Sequence, residues 1–132
     1  MNDNDFLSWA SKNDVPTTSL AIQSFLSSTG VKIFAVIDQQ FHAKSVGLSM
    51  EPLTEILFGN PRAGTPLMQF NPNTAFDLPI KVLVTKSGNG GSIVRMLAPQ
   101  TFAARYGCPL DSAVVALGGA AKLIGQALGT AD

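Results

Sequence analysis

Ile80-Lys81-Val82-Leu83-Val84-Thr85-Lys86-Ser87 and Ser92-Ile93-Val94-Arg95-Met96-Leu97-Ala98 flank Gly88-Asn89-Gly90-Gly91. Both runs are β-rich, and Asn and Gly between them tolerate positive φ, so the segment reads as a hairpin whose arms pair antiparallel. Upstream, Phe6 to Ser11, with Trp9, is short enough for a first strand. Asn13-Asp14 then offers cap oxygens to a helix with Pro16 in its first turn. Val15, Ile22, Phe25 and Leu26 fall at helical spacing to about Ser28, and Gly30 supplies a left-handed stop. Val31 to Ile37 is apolar on both alternate sets after Lys32, as in a central strand covered on both faces.

Asp38 follows as a cap for a short helix from about Gln39 to Val46, closed by Gly47. Thr54 to Phe58 has the β-branched and aromatic character of a third strand. After the turn Gly59-Asn60-Pro61-Arg62-Ala63-Gly64, Thr65 is placed as an N-cap and Pro66 as the first helical residue of a brief helix from Leu67 to about Asn71. A short helix near Gln100 to Tyr106 and a longer one capped by Asp111 complete the chain.

That last helix, about residues 111–128, is almost uncharged, but it would reach only about 27 Å against a hydrocarbon core of roughly 30 Å, with Lys122 and Gln126 inside. No membrane span is expected. Val114, Leu117, Ala121, Ile124 and Leu128 form an apolar stripe. Gly118, Gly119 and Gly125 each cost about 0.8–1.0 kcal/mol of helix propensity relative to Ala, so the helix must dock, either across its own sheet or at a subunit interface.

Composition narrows the function classes. Of 132 residues, 45% are hydrophobic and 14% charged, where roughly 25% charged is usual. Nine Lys+Arg balance nine Asp+Glu, so the field that draws proteins onto nucleic acid or anionic membranes is missing. The single Cys108 excludes an internal disulfide, and no repeat or linker divides residues 1–132, which read as a single domain. Met1-Asn2-Asp3-Asn4-Asp5 lacks the basic start and apolar run of a signal peptide, so a cytoplasmic location is expected.

Phe34-Ala35-Val36-Ile37-Asp38, Ala43-Lys44-Ser45-Val46-Gly47-Leu48, the run from Phe58 to Gln69 (Phe58-Gly59-Asn60-Pro61-Arg62-Ala63-Gly64-Thr65-Pro66-Leu67-Met68-Gln69) and Asp77-Leu78-Pro79 resemble, in order and wording, the domain-of-unknown-function family numbered 302. The resemblance covers roughly residues 6–107. It implies an α+β fold of the TATA-binding-protein-like class, with helices on one face of a mainly antiparallel sheet, often paired as dimers. The fold name carries no DNA binding to a neutral chain with dispersed Lys and Arg. The chain departs from the family pattern at Gln39, often His in relatives, and at Arg105-Tyr106-Gly107, where the family motif has Arg-His-Gly.

The Gly59 to Thr65 loop is the first candidate site. A helix opening there presents backbone N–H groups without internal partners, and Asn60, Arg62, Gly64 and Thr65 are the candidate ligand contacts, with Arg62 adding a planar fork of donors for a small anion. The same residue types also satisfy a tight strand-to-helix turn with no ligand at all. The Gly-Lys-Ser/Thr ending of a P-loop is absent. Asp38 and Asp77 are the candidate general acids or bases, and capping or ion pairing explains each as well. One His, His42, and one Cys fall short of a structural zinc set, and Gly-x-Ser-x-Gly does not occur, so neither metal nor cofactor is expected. Met50, Met68, Phe70 and Phe76 are assigned to the core.

Three functions follow. The first is non-enzymatic binding of a small anionic or polar ligand at the Gly59 to Thr65 loop. The second is a hydrolase or isomerase of small acids using Asp38 or Asp77 with Arg62. The third is a homodimeric assembly module without a ligand. A homodimer is expected in any case, because low charge leaves apolar surface to cover.

Overall fold

Five strands form the sheet: β1 (Phe6–Ser11), β2 (Lys32–Asp38), β3 (Leu53–Gly59), β4 (Ile80–Lys86) and β5 (Ser92–Leu97). In the computed structural model, which describes residues 3–129, they lie in the order β1-β5-β4-β3-β2, all antiparallel. The hairpin at the centre is β4 and β5, in register from Val82↔Met96 to Lys86↔Ser92. Around it stand α1 (Val15–Ser28), α2 (Gln39–Ser45), α3 (Pro61–Phe70) and α4 (Pro99–Tyr106). A final helix comprises α5 (Leu110–Ala113), a π-helical turn at Val114–Gly118, and α6 (Gly119–Ala127). This is a single α+β domain with a five-stranded antiparallel sheet.

Alternation places Ile56 and Phe58, Val82 and Val84, and Val94 and Met96 on one buried face of the sheet. Ile22 and Leu26 of α1 and Ile124 of α6 are fully buried in the same core, and α1 packs on β2, β3, β4 and α6. Full burial of each such side chain is worth about 1.5–3 kcal/mol, and this layer holds the fold together. At one end of it, Thr18 Oγ1 lies 2.8 Å from both Ser11 Oγ and Ser92 Oγ, joining β1, α1 and β5 through hydroxyls that would be costly to bury unpaired.

Five expectations require correction. β2 is an edge strand, not a central one, and Phe34 and Val36 are 46% and 43% exposed. A register shift between Ile33 and Ala35 bends it there, and an apolar run at an edge mimics double coverage when neighbours are unknown. The helix after β3 starts at Pro61, capped by Asn60, so Thr65 and Pro66 lie inside it. Two cap-plus-Pro pairs stood in tandem, and the first wins because Pro61 needs no N–H at that position.

Asp111 is not the cap of the last helix; Pro109 precedes its first residue, Leu110, and no side chain caps it. The π-turn admits an extra residue, and the buried positions become Ala113, Leu117, Ala120 and Ile124, while Val114 is 48% exposed. Finally, Phe70 and Phe76 are not core residues, at 57% and 87% exposure, and Met50 is exposed as well. Only Met68 of that group is half-buried.

Candidate functional site

The β3–α3 turn makes the first wall of the site. Asn60 Oδ1 accepts the Arg62 N–H at 2.9 Å, and the Asn60 carbonyl accepts those of Ala63 and Gly64 at 2.9 and 3.0 Å. Pro61 has no N–H. The amides at the start of α3 are therefore taken by the protein's own oxygens, and the anion cradle anticipated there is already filled. Arg62 and Thr65 are exposed, and the Arg62 guanidinium has no hydrogen bond or ion pair among the described residues.

The carboxylates do not converge with it. Asp38 caps α2, accepting the Phe41 N–H at 3.0 Å, and pairs in the sheet with Thr54. Arg62 follows Gly59, at the other end of β3, about 17 Å away along the strand. Asp77 lies at the Gly59 end, since Ile80 pairs with Phe58, but it meets Arg105 Nη1 at 2.8 Å and the Tyr106 hydroxyl instead of Arg62. The bond to Asp77 raises the pKa of Arg105; burial, then the same carboxylate, raises that of Tyr106. This cluster fastens the turn before β4 to the end of α4. An acid–base pair working with Arg62 is not assembled.

What the same end of the sheet does assemble is a cavity of about 570 Å³. Phe34 of β2 and Phe58 of β3 form one side, and Pro61, Gly64 and Met68 of α3 another. Leu78, Pro79 and Ile80 close the third, with the Leu78-Pro79 peptide cis. The last helix roofs it through Val115, Ala116, Gly119, Ala120 and Leu123. Asn60 is the only polar side chain of the lining, and no titratable group lines it. Gly119 leaves room: a Cβ there would have nothing within 4 Å.

The family model for the domain of unknown function DUF302 matches residues 7–124. The chain belongs to the DUF302 family. A crystal structure of an uncharacterized conserved DUF302 protein from Bacillus stearothermophilus superimposes with a TM-score of 0.77, covering 97% of this chain and 98% of that one at 14% identity. At that identity the likeness concerns the fold. Two curated relatives, each described as fluoride-specific ion channel FluC 1, come from Brucella suis biovar 1 and Brucella abortus biovar 1. Each is 32% identical over 112 residues, 85% of this chain, but the match spans only 44% and 42% of their lengths. Among the described residues, no helix is long and apolar enough to cross a membrane.

Gln39 and Tyr106, at the positions where the resemblance implied His, are both hydrogen-bonded. Gln39 Nε2 donates to Glu55, and the Tyr106 hydroxyl to Asp77. The run from Phe58 to Gln69 and the Leu78-Pro79 pair lead straight to the cavity. The roof residues escaped sequence reasoning, although the adjacent Gly118-Gly119 in an almost uncharged helix was a usable sign of space beneath it.

Proposed function

We propose that this domain is a non-enzymatic binding module for a small molecule, held in the cavity between β2, α3, Pro79 and the last helix. The observation that carries this reading is a recess of about 570 Å³ with a wall apolar except at Asn60. Such volume and lining are typical of ligand pockets. The absence of any acid, base or nucleophile among its lining residues favours binding over catalysis. The proposed site thus moves from the first amides of α3 to the space beside them, and Asn60 and Gly64 belong to both.

The uncharged apolar dye Nile red tests it. Its fluorescence should rise on binding, saturate at one equivalent, and be accompanied by an increase in Tm, because a ligand of the folded state alone stabilises it. Gly119→Phe and Ala116→Phe, which fill the recess from its roof, should each abolish the signal. Unchanged binding in both would show that the dye sits elsewhere and defeat the proposal.

A second reading, compatible with the first, is self-association. Phe41, Val46 and Leu48 on and after α2 are well exposed. An exposed apolar group of this kind on a chain of zero net charge favours a second copy of this chain as the cover.

A further inference from the structure

We propose that the ligand is an amphipathic monoanion, a carboxylic acid with an aliphatic tail, whose tail fills the cavity and whose carboxylate stays at the rim beside Lys32 and Arg62. This names the ligand class of the site proposed above and rests on that proposal.

The interior sets the tail. A wall with a single amide side chain cannot pair a buried charge, and an unpaired carboxylate inside would be driven out or neutralised. Any charged group of the ligand must therefore remain at the mouth. The chain around the mouth sets the sign of that group. Near that end of the sheet Arg105 is engaged with Asp77, whereas Lys32 and Arg62, like Lys12, Lys44, Arg95 and Lys122 elsewhere, have no carboxylate partner among the described residues.

Lys32 reaches the wall, and Arg62 belongs to the turn that borders it. Lys32 pairs in register with Gly59, and its Nζ stands 5.0 Å from the centre of the Phe34 ring, which lines the recess and is partly exposed. Arg62, exposed, stands in the chain between the lining residues Pro61 and Ala63 without itself lining the recess. Asp77, next to the lining residue Leu78, is taken up by Arg105, and no Asp or Glu lines the cavity. In a chain of zero net charge, two uncompensated cations beside an apolar recess complement a ligand with one negative end. Asn60 adds a donor: its Oδ1 is fixed by the Arg62 N–H, and its Nδ2 has no hydrogen bond among the described residues.

The test is calorimetric titration of the full chain with sodium octanoate, decanoate and dodecanoate below their micelle concentrations, and with 1-decanol. Affinity should rise about fourfold per methylene, the factor expected for burying one CH₂. Decanoate should bind more tightly than 1-decanol. The double variant Lys32→Gln/Arg62→Gln, confined to exposed side chains, should weaken decanoate about tenfold and leave 1-decanol unchanged.

Equal affinities for decanoate and 1-decanol, with the double variant silent, would overturn the anionic head while leaving the cavity proposal standing. Failure of every alkyl probe while Nile red still binds would overturn the aliphatic tail. Failure of Nile red together with the alkyl probes would remove the cavity proposal itself.

Discussion

Asp77 shows how a residue's partners decide its role. Standing alone among apolar neighbours in the sequence, it reads as a candidate acid or base, but Arg105 and Tyr106, far along the chain, hold it as a structural tie. Burial, and after it the bond to Asp77, keep the Tyr106 proton on in the folded state. A group whose pKa is raised on folding adds stability below its unfolded value, about 10 for tyrosine, and that stability is lost as pH climbs through the folded value. The urea midpoint should accordingly fall above about pH 10 in the wild type and fall less in Tyr106→Phe. At neutral pH the variant should lose about 1 kcal/mol, the net worth of one partly exposed hydrogen bond. A parallel decline of both proteins above pH 10 would assign the effect to other groups.

At the scale of elements, local signals were readable and neighbour relations were not. Asp14 and Pro16 mark the start of α1, and two β-rich arms around Gly88 to Gly91 mark the β4–β5 hairpin, because caps and turns are made within a few residues. The edge position of β2 depends on which strands pair with it, and no periodicity carries that information. The start of α3 was ambiguous for a different reason, two proline-led openings in tandem. In the last helix the π-turn changed the face, so a strict helical stripe selected Val114 in place of Ala113.

The hairpin also carries a steric constraint. A Cβ at Gly91 would collide with the carbonyl oxygen of Ser11, where backbone cannot yield as a flexible side chain can. Gly91→Ala should cost about 2–4 kcal/mol in chemical denaturation, with the strain borne by the β1–β5 edge. Amide exchange should quicken first in β1, and a variant of wild-type stability would refute the close approach.

For the whole molecule, zero net charge and the exposed apolar side chains of α2 and the segment after it make association the test that matters. Light scattering should give about twice 13.8 kDa at micromolar concentration. Phe41→Glu/Leu48→Glu should return the mass to that of one chain, since burying two unpaired carboxylates at an interface is prohibitive. A wild type that remains at one chain's mass across this range would dismiss self-association. The cavity, at the Gly59 end of β3, lies away from Asp38 and the start of α2, so ligand uptake and pairing should be separable.

Asn60 both closes the first turn of α3 and faces the recess. A lineage adapting to a new compound could not freely exchange it, because a replacement chosen for taste would loosen the helix behind it. Divergence in selectivity should accumulate instead at Met68, Val115 and Leu123, whose side chains shape the same hollow without anchoring a terminus.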